Sequence, residues 1–341
     1  HYFTSEQTKI YMAMTVTESG PVSLHEPYSA FTLPLMDSGS IFDGYYGFVR
    51  EGLWRLTEEL ATINGELGVD IQLGGKVSAV DAHRKVVHVE RSGTAASIPY
   101  DHLLLATDPL TAARLVGDQA MIRDIEQKRF TGTSGKLTLF FRRPVRWLDE
   151  QLTANEGADA AFRFIFSVSS IADFEAATLR VLDGSADYAP GYIQIYCEGA
   201  AMRQLGLVEP FDRITLFFKN VALNASGNAL PDVEAAVKAQ LLAHVANPED
   251  CVWSRLLSPR DMQQLFLFPG GNLDHTMLVG GQTFFDRQFS ADPASHFYTF
   301  GVWPAISYCG AGAYPCGSIA GTPGYMCARQ VIRQLTPGNV D

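Results

Sequence analysis

The sequence predicts an α/β (α+β) fold in which a strand-rich segment is inserted into an interrupted α/β domain. Helix-like and strand-like patterns alternate over residues 47–115 and return over residues 300–335, whereas strand-like apolar runs dominate between these portions. The chain has 341 residues, of which 47% are hydrophobic and 18% are charged. It is therefore long enough to form two lobes with separate cores.

The first α/β portion begins with a helix-like pattern. Apolar residues recur at three- and four-residue steps over 53–67, which predicts an amphipathic helix. Alternation over 69–73 and two apolar runs over 76–90 predict strands, and the apolar run 102–106 is typical of a buried parallel strand. Thr107-Asp108-Pro109 places an N-cap residue before a first-turn proline, so a helix is expected to begin there.

The inserted portion is rich in predicted strands. These lie at 136–141, 162–168, 192–196 and 214–219. Helices are expected over about 231–246 and from residue 258. The chain then returns to the α/β pattern with a strand at 306–309, a glycine-rich loop and a helix over about 322–335.

Composition excludes several classes of function. The net charge of −11 repels phosphate backbones, so no nucleic-acid binding is expected. Apolar runs fall short of the roughly 20 residues that cross a bilayer, so no transmembrane segment is expected. The five cysteines include no CxxC pair, and Cys309, Cys316 and Cys327 have no histidine close by. This pattern favours a reducing, cytoplasmic compartment and packed thiols, with no metal site.

The strongest local motif runs from Cys309 to Gly324, where a predicted strand leads through glycines into a helix. Glycines allow a backbone to approach a phosphate closely, and a helix N-terminus offers free N–H groups to an anion. The motif is not a GxGxxG, because Pro315 stands where the third glycine belongs. The same spacing is equally typical of a glycine-rich turn that only caps a helix.

This motif resembles the closing flavin motif of phytoene-desaturase-like FAD-dependent oxidoreductases, a branch of the flavin amine oxidase superfamily. Two further stretches are similar to that family. The first is Tyr46-Gly47-Phe48-Val49-Arg50-Glu51-Gly52-Leu53, followed by Gly68-Val69-Asp70-Ile71 and Val77. The second is Ser258-Pro259-Arg260-Asp261-Met262, followed by Gly270-Gly271-Asn272-Leu273-Asp274-His275.

The resemblance implies FAD as the cofactor, in an interrupted Rossmann-like domain. It assigns backbone contacts with the adenine to Val77, and it places Thr107 and Asp108 near the cofactor. Gly310, Ala311 and Gly312 would lie against the pyrophosphate or ribityl chain, where a side chain at Gly312 would occupy cofactor space. The residues expected near the isoalloxazine ring are Cys316, Gly317, Ser318, Ile319 and Ala320.

Four segments follow from these assignments. Residues 1–46 form a substrate-side segment, and 47–115 form the middle of the FAD-binding domain. Residues 116–299 form the substrate domain, and 300–341 complete the FAD-binding domain.

Candidate catalytic residues are His275 and Tyr314. His275 could contact the substrate or the flavin edge, although a histidine in a Gly-Gly-Asn turn more often bonds backbone groups. Tyr314 stands where the family often has histidine, which leaves the type of substrate open. Cys316 could attach to the flavin, but a packed thiol is favoured because nothing in the sequence lowers its pKa.

The resemblance implies an enzyme that moves a hydride from a hydrophobic, organic small-molecule substrate to flavin N5. The alternative is an amine or amino-acid oxidase, for which Arg260 and Arg287 are candidates to bind a carboxylate. A structural subunit that completes a partner's flavin site is the non-enzymatic alternative. Aromatic residues could line a substrate tunnel or form plain core: Tyr192, Tyr196, Phe217, Phe218, Phe284, Phe285 and Trp303.

A dinucleotide-binding start is not visible. Flavin folds of this kind open with a strand, a GxGxxG turn and a helix, whereas residues 1–46 have no glycine pair at that spacing. The chain also opens at His1 and not at methionine. We therefore expect a partner chain or fragment to carry the GxGxxG segment and to form a heterodimer with this chain.

Overall fold

The computed structural model describes residues 2–18, 20–31, 47–149, 160–182, 190–224, 229–317 and 321–336. These residues form nine α-helices and eleven strands in three sheets, which confirms the predicted mixed fold class. The helices are α1 (Glu6–Met14), α2 (Trp54–Glu66), α3 (Pro109–Val116), α4 (Gln119–Glu126), α5 (Ile171–Leu182), α6 (Glu198–Gln204), α7 (Val233–Leu242), α8 (Pro259–Phe266) and α9 (Thr322–Leu335).

The strands are β1 (Gly75–Asp81), β2 (Val86–Arg91), β3 (Thr94–Pro99), β4 (Leu103–Leu105), β5 (Gly135–Phe141), β6 (Phe162–Phe166), β7 (Tyr192–Tyr196), β8 (Asp212–Phe218), β9 (Cys251–Leu257), β10 (Thr299–Phe300) and β11 (Trp303–Tyr308). The strand predicted over 69–73 is absent, since these described residues form coil and a turn. The segment 69–73 pairs with no other strand among the described residues, and a strand needs a neighbour to bond its backbone groups.

The chain divides into two compact units. The first contains residues 1–25, 46–69 and 132–266, and the second contains 26–45, 70–131 and 267–341. An α/β unit interrupted by a strand-rich unit was expected, but the boundaries differ from those predicted. Helix α2 belongs to the strand-rich unit, whereas 116–131 and 267–299 belong to the α/β unit.

The α/β unit contains two small sheets. Strands β1, β2 and β3 form an antiparallel sheet, and the second sheet has the order β10-β11-β4. Strand β4 runs parallel to β11, with Leu103 opposite Ile306 and Leu105 opposite Tyr308. The apolar run 103–105 thus forms the parallel strand that its composition predicted. Within the described residues, the other side of β4 is an open edge, and Leu104 is half exposed.

The strand-rich unit is built on an antiparallel sheet of order β6-β7-β8-β5-β9. Alternate residues of its strands point into a buried core with helix α7, whose Val237 and Leu241 are fully buried. The central strands supply eight residues of that core: Leu137, Leu139, Phe141, Ile193, Ile195, Ile214, Leu216 and Phe218. Because successive side chains along a strand point to opposite faces, the sheet has one apolar face and a second face with polar and aromatic residues.

Helix α2 is amphipathic but contains no buried residue. Its apolar side chains Leu60 and Ile63 are exposed by 60% and 50%, and Leu67, directly after the helix, is exposed by 75%. This part of the strand-rich unit therefore presents apolar surface.

Among the described helices, none combines the length and apolarity that crossing a membrane requires.

Candidate functional site

Two loops meet at the carboxyl-terminal ends of the parallel strands β4 and β11. Strands β4 and β11 end there at Leu105 and Tyr308, and the N–H of Cys309 donates to the carbonyl of Leu105 at 2.9 Å. The parallel pairing therefore continues one residue beyond β11. The loop 106–108 therefore lies beside the glycine-rich loop 309–317, because the carboxyl ends of parallel strands lie on the same side of a sheet.

Asp108 is the N-cap residue of helix α3 and lies in the first of these loops. Its carboxylate caps the helix by accepting a hydrogen bond from the N–H of Thr111 at 2.9 Å, and Pro109 follows in the first turn. The predicted helix start is confirmed. Since the Asp108 carboxylate lies at the helix N-terminus and bonds the N–H of Thr111, this end of α3 disfavours a bound anion.

The glycines of the second loop allow it to pack against the first. A Cβ added to Gly310 would collide with the carbonyl oxygen of Thr107. A Cβ added to Gly312 would lie 2.7 Å from the Tyr308 hydroxyl and 3.0 Å from Cδ of Pro109. Protein atoms thus fill the space beside Gly312 that the resemblance reserved for the cofactor.

Tyr308 connects the two loops through one buried hydroxyl. This oxygen donates to the carbonyl of Thr107 at 3.0 Å and accepts a hydrogen bond from the N–H of Gly312. Burial raises the pKa of Tyr308 well above its ordinary value, so the group stays protonated. The hydroxyl therefore holds both loops at a fixed separation.

Arg287 fixes the glycine-rich loop from the other side. Its guanidinium is 1% exposed and uses all five N–H groups. Two bonds reach the loop, at the carbonyls of Ala311 (3.0 Å) and Ala313 (3.4 Å). The other three reach the turn at Asp274 O (2.6 Å), Thr276 O (3.1 Å) and Thr276 Oγ1 (2.7 Å).

This environment excludes one expected role. A guanidinium that donates all five hydrogens to the protein cannot also bind a substrate carboxylate, so the expectation for Arg287 in an amino-acid oxidase is wrong. Burial lowers the pKa of Arg287, although arginine remains charged in proteins. Arg287 instead positions the loop 309–317 against the turn that contains His275.

His275 lies in that turn with a left-handed backbone, φ +64°, and its ring is 5.7 Å from the ring of Phe268. Burial lowers its pKa to about 4, opposed by the Asp108 carboxylate and assisted by Arg287. Its Nδ1 is buried and finds no hydrogen-bond partner among the described residues. The expected bond from this ring to the backbone is therefore not made at Nδ1.

The residues after Gly312 are closely packed. Cys316 is fully buried against Leu278, and burial raises the pKa of its thiol to about 12. At neutral pH the sulfur is a protonated thiol, which agrees with the favoured packing role. Gly317 approaches Ala311, whose Cβ would lie 2.7 Å from an added Cβ. The ring of Tyr314 contacts the rings of Phe284 and Phe297.

Helix α9 supplies groups that suit an anion or a hydrogen-bonding cofactor. It follows Gly321, and no side chain caps its first turn. The hydroxyl of Thr322 is buried and lacks a hydrogen-bond partner among the described residues. These groups can bind an anion such as a phosphate. The predicted site residues Ser318, Ile319 and Ala320 lie outside the described residues.

Val77 lies in a different sheet from the strands β4 and β11, which lead into the two loops. It is in β1, opposite Val89 of β2, next to a register shift, and its side chain is 37% exposed. The structure therefore places it in the antiparallel sheet, and its contact with an adenine stays a prediction. No group of three metal-binding side chains occurs within the described parts of the chain.

Sequence reasoning missed Tyr308 and Thr322 and assigned Arg287 the wrong role. The N-terminus of the helix that contains Thr322 was itself predicted, since Thr322-Pro323 follows glycine. The roles of Tyr308 and Arg287 left no local pattern. The predicted aromatic set also splits, since Phe218 is core whereas Phe285 is 63% exposed.

Comparisons with known proteins agree with this architecture. A family model described as flavin containing amine oxidoreductase matches residues 3–194. The fold is similar to cyclohexylamine oxidase from Brevibacterium oxydans IH-35A, at 11% identity and a TM-score of 0.53, over 97% of this chain and 64% of that one. It is also similar to an oxidoreductase from Methanosarcina mazei, at 10% identity and a TM-score of 0.50, over 96% and 65%.

At these identities the two structures show the fold alone. The chain spans just under two thirds of the length of each of them. No curated protein matches this sequence.

The packing of Gly312 generates a prediction about stability. Gly312→Ala forces a methyl group against Tyr308 and Pro109, so we expect a loss of about 1–3 kcal/mol in the free energy of unfolding. Gly324→Ala is the matched control in α9, because nothing lies within 4 Å of its added Cβ. That change should be neutral or stabilise by up to about 1 kcal/mol. Urea unfolding measures both, and equal midpoints would show that the close approach is unimportant.

The lowered pKa of His275 generates a prediction about pH. Between pH 6.5 and about 4 the unfolded chain takes up a proton that the folded chain resists, so stability must fall as the pH falls through this window. The loss approaches about 3 kcal/mol. His275→Asn, which tolerates the left-handed backbone, should flatten this part of the profile. His296→Asn, at an exposed site, should leave it unchanged. An identical slope in all three proteins would contradict the assignment.

Proposed function

This chain belongs to the flavin-containing amine oxidoreductase family, and on that premise we propose that it acts in an FAD-dependent enzyme that takes a hydride from a hydrophobic organic substrate. The predicted cofactor is confirmed at the level of the family, whose members contain flavin. The resemblance to the flavin amine oxidase superfamily is confirmed in the same way. The phytoene-desaturase-like subtype stays a prediction.

The observation that carries the proposal is the pair of loops held together by Tyr308 and Arg287. Residues 309–317 form a rigid backbone surface, and the N-terminus of α9 offers uncapped N–H groups beside it in sequence. We assign contacts with the cofactor to the backbone of Gly310 and Gly312, to Thr322 and to Nδ1 of His275. When bound, the isoalloxazine ring supplies the hydride-accepting centre at N5.

The protein groups around this surface suit a hydride transfer without a protein base. His275 has a pKa of about 4, so near neutral pH its imidazole is uncharged and can exchange a hydrogen bond with a ligand. The thiol of Cys316, with a pKa of about 12, is neither a nucleophile nor a base at that pH. Their roles in the proposal are to orient the ligand and to exclude water.

We assign the substrate to the polar and aromatic face of the sheet in the strand-rich unit. This face contains a cavity of about 360 Å³ lined by side chains of β5, β8 and β9. Phe140 and Trp253 contribute rings 5.1 Å apart. Lys136 and Arg255 contribute positive charge, and the one carboxylate in the lining, Glu198, is paired with Arg213 at 2.7 Å. Such a face disfavours a cationic amine and accepts an aromatic or apolar body.

An amine oxidase is the alternative. It is favoured by the description of the family and by the name of the similar cyclohexylamine oxidase. An amino-acid oxidase is less well supported, because the buried bonds of Arg287 remove one of the two arginines considered for a substrate carboxylate. A structural subunit that completes a partner's flavin site stays the non-enzymatic alternative.

We further propose that a GxGxxG-bearing chain or fragment completes the parallel sheet at the open edge of β4. A parallel strand is normally buried and paired, whereas Leu104 is half exposed beside that edge. The apolar surface of α2 is a second area that a partner could cover. The heterodimer and the cytoplasmic location stay predictions.

Reduction of bound flavin tests the proposed reaction. The purified, FAD-loaded protein is mixed under anaerobic conditions with a panel of apolar alcohols and alkenes and a matched panel of primary amines. We expect loss of the oxidised-flavin absorption with members of the first panel. Bleaching by amines alone would establish the amine oxidase alternative. A protein that binds no flavin, alone or with a GxGxxG-bearing segment, would overturn the proposal.

A further inference from the structure

A second cavity, of about 560 Å³, lies on the α/β unit between the loop 295–298, Tyr314 and one face of α9. Its volume is within the range of about 300–1,000 Å³ that small-molecule sites occupy. The proposed hydride transfer uses none of the side chains on its α9 wall.

The α9 wall of this cavity is positively charged. Arg329 and Arg333 lie one helical turn apart and both line the cavity, and His296 lines the opposite side. The chain as a whole is acidic, with 37 Asp and Glu against 26 Lys and Arg. The lining contains no Asp or Glu, so the charge of the cavity is opposite in sign to the net charge of the chain. Two forked guanidinium groups at this spacing suit the oxygens of a phosphate or carboxylate.

The remaining walls are apolar and aromatic. Phe297 and Tyr314 pack edge to face with their ring centroids 5.5 Å apart, and Met326 of α9 is 46% exposed in the same cavity. The two rings are nearly perpendicular, so an aromatic ligand can stack on the face of one ring and meet the other edge to face. A simple inorganic anion would leave this surface uncovered.

Gln330 adds an unused donor to the same wall. Its Oε1 accepts a hydrogen bond from the N–H of Tyr298 at 3.3 Å, which fixes the side chain. Its Nε2 is buried and has no acceptor in the described part of the chain. A buried amide N–H without a partner costs free energy, and an oxygen of a bound ligand would remove that cost.

We propose that this cavity binds an organic anion with an aromatic body, whose phosphate or carboxylate oxygens lie against Arg329 and Arg333. The aromatic body stacks on one of the rings of Tyr314 and Phe297 and meets the other edge to face. The site also borders the flavin loop, because the Tyr298 hydroxyl donates to the carbonyl of Tyr314 at 3.0 Å. An occupant therefore contacts the loop 309–317 from outside, at a place distinct from the backbone of Gly310 and Gly312.

Binding of 1-naphthyl phosphate to the full chain tests the proposal, with the protein first loaded with FAD and the unbound FAD removed, so that free FAD does not compete for the cavity. Titration calorimetry compares it with neutral 1-naphthol, with 2-naphthoate and with inorganic phosphate. We expect one site for the aromatic anions, with 1-naphthol and inorganic phosphate at least tenfold weaker. The stronger of the two aromatic anions identifies the head group.

Variants then locate the site. Arg333→Gln should weaken binding of 1-naphthyl phosphate about tenfold or more, since a charge-assisted hydrogen bond is lost. Arg84→Gln, at a side chain 83% exposed on a different element, is the matched control and should have no effect. Met326→Ala should weaken the aromatic anions and leave inorganic phosphate unchanged. Equal affinity for 1-naphthol and 1-naphthyl phosphate, or unchanged binding by Arg333→Gln, would overturn the proposal.

Discussion

The buried guanidinium of Arg287 is the interaction on which the candidate site depends. A buried charge is costly unless hydrogen bonds replace its water, and here all five N–H groups reach oxygen atoms of the protein. Since Asp274 and Thr276 lie on one side and Ala311 and Ala313 on the other, one side chain sets the distance between a turn and a glycine-rich loop. A shorter or uncharged side chain would leave several carbonyls unpaired at once.

The two loops at the carboxyl-terminal ends of β4 and β11 show how glycine allows two protein segments to pack closely against each other. Gly310 and Gly312 lie against Thr107, Pro109 and the Tyr308 hydroxyl, so their missing side chains allow protein to approach protein. The backbone on the far side of this contact is thereby held still. A dinucleotide benefits from such a surface because little ordering remains to be done when it binds.

The strand-rich unit separates stability from recognition through the period of two along its strands. One face of the sheet forms the core with α7, and the other carries Lys136, Phe140, Trp253 and Arg255 around a cavity. Core packing constrains only the first face, so the residues of the second face can vary without disturbing the core. The basic cavity on α9 shows the same division, since Cys327 and Val331 are buried while Arg329 and Arg333 remain exposed.

The sequence by itself determined the order of most elements, the parallel strand 103–105, the helix that begins behind Asp108 and the family. These features depend on local periodicity, capping and glycine spacing. It predicted a strand at 69–73 that has no partner, and it missed β9, whose polar residues reflect its place at the edge of the sheet. Only the tertiary structure decided the bonds of Arg287 and the link from Tyr308 to Thr107, 201 residues away. Such bonds depend on which distant segments meet, and a single sequence records no pattern for that.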